Sequence, residues 1–294
     1  MLTAQHIIPT VRAALAEDAP WGDITSESLI PQGARATARL VAREAGVLSG
    51  AEVFSAAMTI TDESIAVTFF LADGDEFDRG TVLAEVTGPA RAVLQAERVA
   101  LNFVQRMSGI ATITAKYVAE VAGTGAHVVD TRKTTPGLRQ FERHAVRSGG
   151  GRNHRFSLSD AVMAKDNHLA VLTAGGRDLT EALLEVRGRL SHTTHFEVEV
   201  DRIEQIEPVL AAGIDTIMLD NFSIAELHEG VALVDGRAIV EASGSVTLDT
   251  IGEIARTGVD LISVGALTHS VRSLDLGLDI ELGIVVGTDP VDAP

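Results

Sequence analysis

The stretch HFEVEVDRIEQIEPVLAAGIDTIMLDNF, residues 195–222, carries a short apolar run ending in acids, a helical segment, then a second apolar run ending in Asp220. The same unit recurs from residue 127 onward. Its strand-like runs are HVVDTRK (127–133), AVMAKDNH (161–168), HFEVEVD (195–201), TIMLDNF (216–222), AIVEASGS (238–245) and LISVGAL (261–267). Helical segments follow several of them, at 179–190, 203–212, 224–234 and 247–257. Strands alternating with helices, with polar residues at the strand ends, predict a parallel α/β barrel whose site gathers at the C-terminal rim. Six runs are fewer than the eight of a closed barrel, so the expectation is an incomplete one.

The charge pattern marks the same rim. Between Arg132 and Lys165 there are eight Lys or Arg against two acids, in a chain of formal net charge −17. A basic island in an acidic body points to a small anionic ligand, with a solvated basic face as the alternative. The overall acidity argues against nucleic acid and anionic membranes as partners. Zero cysteines exclude disulfides and cysteine-ligated metals. Without a signal-like N-terminus or a long apolar run, a cytoplasmic location is expected.

The first third reads as a small α+β domain. A helix is expected over 9–17, strands over 36–50, 65–72 and 81–86, and a short helix over 51–60. Residues 90–107 form a strong helix that SGIAT (108–112) is expected to break before another at 112–122. The segment GDEFDRGTVLAEVTGPA (74–90) resembles the hairpins of lipoyl and biotinyl carriers in shape, but no lysine precedes Lys116. Arg98, beside Glu97 in mid-helix, reads on pattern alone as a surface ion-pairing residue.

The rim residues form one constellation. Arg132, Lys133, Arg155 and Lys165 suit carboxylates and phosphates. Glu199 and Asp220 suit Mg²⁺ or ribose hydroxyls, and Ser243, Gly244, Gly265 and Ala266 leave backbone N–H groups open for a phosphate. Alternation puts Glu197, Glu199 and Asp201 on one face, and packing decides which reaches the ligand. A Schiff-base role for Lys133 or Lys165 is an alternative. Gly149–Gly151 reads as a flexible loop, and His154, His168 and His269 lack zinc-site spacing.

At DTRKTTPGLR, GGGRNHR, KDNH, EVEVD, LDNF, EASG and VGALTHS the chain resembles the quinolinate phosphoribosyltransferases. EDAPWGDIT and ERVALNFVQRMSGIAT resemble the N-terminal domain of that family. Two departures are Ser245, where Gly or Asn is usual, and Ala164, where a larger apolar residue is usual.

The resemblance implies an N-terminal α/β sandwich domain (1–109, joined by 271–286), then an incomplete parallel α/β barrel (110–270) and a flexible tail (287–294). It implies a homodimer with shared active sites, to which Arg98 is donated across the interface. It also implies transfer from phosphoribosyl pyrophosphate to quinolinate with Mg²⁺, giving nicotinate mononucleotide, pyrophosphate and CO₂ for NAD synthesis. Catalysis would fall to Lys133, Lys165, Glu199 and Asp220, with the last two also holding the metal. Substrate contacts would include these four with Arg98, Thr131, Arg132, His154, Arg155, Ser243, Gly244, Ser245, Gly265, Ala266 and His269. A molybdenum-associated paralogue, an aldolase and a non-catalytic sugar-phosphate binder are the competing readings.

Overall fold

The structure is a computed structural model that describes residues 2–283, so the tail expected at 287–294 lies outside the described residues. In chain order its strands are β1 (Arg35–Ala42), β2 (Gly46–Val47), β3 (Ala66–Phe69), β4 (Glu76–Phe77), β5 (Val82–Pro89), β6 (His127–Val129), β7 (Val162–Ala164), β8 (Phe196–Val200), β9 (Thr216–Asp220), β10 (Ile239–Ser243), β11 (Leu261–Ser263) and β12 (Leu276–Gly283). Two compact units result among the described residues: 2–112, 140–148 and 271–283, and 113–139 and 149–270.

In the first unit a four-stranded antiparallel sheet runs in the order β12-β1-β5-β3. Period-two alternation in β1 buries Ala36, Ala38, Leu40 and Ala42. Helix Ala51–Thr61 buries Val53, Phe54, Ala57 and Met58, and Phe54 meets Phe69 of β3 edge to face at 5.7 Å. Helix Ala4–Asp18 packs on that helix and buries Ile7 and Val11. Helices laid on one sheet make the α/β sandwich.

Two local expectations fail here and one resemblance stops short, for identifiable reasons. The first helix starts at Ala4, not at residue 9, and carries Pro9 inside it despite the hydrogen bond a proline removes. The shape resemblance of 74–90 to a carrier hairpin does not extend to strand pairing, because β4 pairs with β2 while β5 pairs with β1 and β3. SGIAT does not break its helix, which continues from Ala90 to Glu120. Ser108 Oγ accepts the Ser49 N–H, and a Cβ on Gly109 would lie 2.3 Å from the Arg272 carbonyl oxygen. Gly109 is therefore a close-approach residue. Its helix-propensity cost of about 1 kcal/mol is small beside the packing of the buried face.

The second unit holds a six-stranded sheet in the order β6-β11-β10-β9-β8-β7, with every neighbouring pair parallel. All six coincide with the apolar runs read from the sequence. β6 and β7 are the edges, and among the described residues β6 gains only an isolated bridge from Val129 to Arg152. That gap is the incompleteness of the barrel. Capping sets the helix starts: Ser223 and Glu226 form a reciprocal box at helix Ile224–Val234, and Asp178 caps helix Leu179–Arg189.

The basic island divides. Helix Arg139–Ser148, not anticipated within it, buries Phe141, Glu142, Ala145 and Val146. Its residues 140–148 belong to the first unit, where Arg106 pairs with buried Glu142 and His144 with Asp73. Among the described residues no helix is long and apolar enough to cross a membrane.

Candidate active site

A cleft of about 560 Å³ opens at the C-terminal ends of the parallel strands. Because side chains alternate along a strand, residues of one parity face it: Met163 and Lys165, Glu199, Met218 and Asp220, Glu241 and Ser243, and Ser263. Thr131, Arg132, Lys133, His154, Arg155, Asn221, Gly244 and Ser245 complete the lining. Eleven of the fifteen residues expected at the site are thus brought together here. Gly265 and His269 stand beside it, since a Cβ on Gly265 would lie 3.1 Å from both Lys133 Cδ and His269 Cδ2. Ala266 opens the short helix Ala266–His269 and does not line the cleft. Arg98 is exposed on helix Ala90–Glu120 in the first unit.

One wall is cationic. Arg132 Nε is buried without a hydrogen-bond partner. Burial, and then the neighbouring Arg132 charge, lower the pKa of Arg155. Two guanidinium groups that repel each other while partly desolvated favour an anion between them. Arg155 Nη1 donates to the Ala161 carbonyl at 2.9 Å. Asp130, fully buried after β6, accepts the His154 N–H at 2.8 Å and Asn153 Nδ2 at 2.6 Å, which fixes the loop.

The opposite wall is acidic. Lys165 Nζ pairs with Glu199, and Asp220 accepts from Asn221 Nδ2 at 2.8 Å. A neighbouring hollow of about 300 Å³ is lined by Asp166, Glu199, Val200, Asp201, Gln205, Asp220 and Asn221. Such hard oxygen donors fit Mg²⁺ with its waters and a substrate's phosphate oxygens.

The loop that follows β10 is tightly built. Gly244 has φ +104°, and a Cβ there would lie 2.2 Å from Asn221 Oδ1. Ser245 follows with φ 47°, in the left-handed region that Gly and Asn occupy most readily.

Beneath the cleft lies a cluster that the sequence reading only grazed. The acids in and just after β8 sit at three depths: Glu197 is buried, Glu199 lines the cleft and Asp201 is exposed. His154 Nε2 is 3.2 Å from Glu197 Oε2 and 3.5 Å from Glu241 Oε2. Burial opposes a charge on the imidazole, but hydrogen bonds to Glu197 and Glu241 outweigh it and push the pKa up to about 10. Burial also raises that of Glu241. Glu241, like Asp130, Asn221, Met163, Met218 and Ser263, was not singled out from sequence, although it sits within EASG.

A parallel α/β sheet with cations and acids converging at its C-terminal rim is the arrangement of an enzyme site suited to phosphorylated, anionic ligands. Comparison with known proteins narrows the class. Residues 23–108 match the quinolinate phosphoribosyl transferase N-terminal domain, and residues 110–279 the C-terminal domain of the same family. The chain belongs to the quinolinate phosphoribosyltransferase family. It is 43% identical over 280 residues to the nicotinate-nucleotide pyrophosphorylase [carboxylating] of Mycobacterium leprae, covering 92% of this chain and 96% of that protein. The probable nicotinate-nucleotide pyrophosphorylase [carboxylating] of Bacillus subtilis is 41% identical over 266 residues, 90% of each chain. The crystal structure of Streptococcus pyogenes NadC superposes with a TM-score of 0.91 at 40% identity, covering 96% of this chain and 98% of that one.

Proposed function

We propose that the protein transfers the phosphoribosyl group of phosphoribosyl pyrophosphate to quinolinate with loss of CO₂, yielding nicotinate mononucleotide for NAD synthesis. The observation that carries this reading is the pairing of Arg132 and Arg155 in one cleft with Glu199 and Asp220, within the residues that match the family's C-terminal domain. Arg132 and Arg155 grip the carboxylates of quinolinate, joined in a homodimer by the partner subunit's Arg98. Lys165 lies between the acid and the sugar, and Lys133 on the pyrophosphate side. Ser243, Gly244, Gly265 and Ala266 receive the 5′-phosphate.

Pyrophosphate departure leaves positive charge on the ribose, which Glu199 and Asp220 stabilise where it develops. The quinolinate nitrogen then bonds to the ribose and becomes cationic. The electron pair of the breaking carbon–carboxylate bond stays on the adjacent ring carbon, next to that cation, as CO₂ leaves. A proton then replaces it. Mg²⁺ held by Glu199 and Asp220 would neutralise charge on the leaving pyrophosphate. The test is nicotinate mononucleotide formation from quinolinate and phosphoribosyl pyrophosphate with Mg²⁺, monitored beside CO₂ release. Absence of product from the folded protein would overturn the reading.

A further inference from the structure

His154 lines the cleft, yet the protein itself engages both of its ring nitrogens. Nδ1 accepts the Arg155 backbone N–H at 2.7 Å, so in this arrangement that nitrogen carries no proton. The ring proton is then on Nε2, between Glu197 Oε2 at 3.2 Å and Glu241 Oε2 at 3.5 Å. The same logic disfavours a metal at this trio, although its ligand atoms lie within 4.8 Å of one another. A metallated Nε2 would move the proton to Nδ1, where it would face another N–H.

The two acids are costly where they stand. Glu197 is 3% exposed and Glu241 0%, and Glu197 Oε1 and Glu241 Oε1 have no hydrogen-bond partner. Apolar side chains would fill the barrel interior more cheaply. Acids retained beneath a binding cleft at such cost call for a role there.

We propose that Glu197 and Glu241 are positioning residues that hold His154 in its Nε2–H form, so that bare Nδ1 fixes the Arg155 amide and aims the Arg155 guanidinium at the substrate carboxylate. His154 thus acts on quinolinate through Arg155 rather than by gripping it. Asp130 holds the His154 N–H at 2.8 Å and the Ala161 carbonyl receives Arg155 Nη1 at 2.9 Å, so the loop is restrained on both sides of this link. The inference rests on the quinolinate reading only for its kinetic consequence.

The experiment has two arms. Nitrogen-15 NMR of the full-length protein, with the His154 signals assigned by their loss in His154→Gln, reads the ring directly. The flanking carboxylates push the His154 pKa up, but the Arg155 N–H aimed at Nδ1 opposes a second ring proton, so the expected result at neutral pH is a neutral ring protonated on Nε2. A ring protonated on both nitrogens, as the flanking carboxylates by themselves favour, or on Nδ1 alone, would overturn the proposal whatever the substrate. In kinetics, Glu197→Ala should raise the KM for quinolinate about tenfold, with a smaller change in kcat, from loss of one buried hydrogen bond. Glu197→Gln, whose amide oxygen still accepts the Nε2–H, should recover most of that loss. Equal damage to kcat and to the KM of both substrates, or no rescue by Gln, would mark Glu197 as merely structural and defeat the proposal. Should Glu197→Ala not fold, the NMR arm and Glu241→Gln decide: the latter, whose amide oxygen still accepts, should keep the Nε2–H form, and loss of that form would defeat the part assigned to Glu241.

Discussion

Gly244 and Asn221 meet across the ends of β10 and β9 so closely that any Cβ at position 244 would lie 2.9 Å from the Asn221 backbone nitrogen and 2.2 Å from its Oδ1. The Asn221 N–H donates to the Ser243 carbonyl at 2.9 Å, so neither strand end can easily withdraw. Gly244→Ala must therefore distort the loop as well as bear a φ of +104°. The expected outcome is a stability loss of about 1–3 kcal/mol with weakened phosphoribosyl pyrophosphate binding. Chemical denaturation and calorimetric titration read the two effects.

Ser245 offers the opposite experiment. Its φ of 47° places a β-carbon where glycine would sit without strain. Ser245→Gly relieves about 1–2 kcal/mol of strain but adds freedom to the unfolded chain. A net gain of up to about 1 kcal/mol in urea denaturation is expected, and a clear loss would show that the Ser245 side chain supports the loop in another way.

Glu199 pairs with Lys165 on the rim, and Asp220 lies one strand away. If their value is realised as charge develops on the ribose, Glu199→Gln and Asp220→Asn should lower kcat by roughly 10² while changing quinolinate affinity far less. Steady-state turnover measured beside calorimetric affinity separates these effects. Near-normal turnover in both folded variants would remove them from catalysis.

Arg98 is exposed on its own helix, and the lining of the cleft does not include it. In a homodimer with shared sites, inactive Arg98→Ala and inactive Lys165→Ala subunits should regain activity when mixed, because one of the two sites in a mixed dimer carries neither lesion. The check is activity after demonstrated subunit exchange, and none should return if Arg98 serves its own chain.

Asp73 predicts an acid-sensitive step. It accepts the Gly50 and Ala51 N–H groups at 3.0 Å at the start of helix Ala51–Thr61, and His144 Nε2 lies 2.7 Å away. Burial raises its pKa, but His144 and the backbone donors outweigh burial and lower it below 3.8. A depressed carboxylate pKa stabilises the fold above the unfolded value and loses that contribution as pH falls through the folded one. Asp73→Asn should flatten the stability profile below about pH 4 and cost about 1 kcal/mol at neutral pH. Denaturation across pH is the measurement.

The sequence was most legible where period and punctuation agree. All six parallel strands stand where short, mostly apolar runs end in charged or small polar residues, because a strand buried on both faces is mainly apolar until it reaches the rim. It misled where one residue has two uses. Gly109 reads as a helix breaker but serves close packing against the Arg272 carbonyl, and Glu142 looks like part of a solvated island but is buried against Arg106. Within the site, cations were easy to find because the rest of the chain is so acidic. Glu241 was hard to find, since a lone acid in an apolar strand shows its depth only after neighbouring strands close over it.

The pairing of β1 with β12 joins Arg35 to Gly283, so the first sheet is completed by a strand that follows all six parallel ones. Until residues 276–283 leave the ribosome, β1 has one edge open, with its backbone donors and acceptors available to any other extended chain. The unit first in sequence is therefore last to finish, and the contiguous βα repeats are free to assemble before it. A truncation before residue 276 would leave that edge open permanently, and misassembly during synthesis should fall on the early strands more than on the repeats that follow.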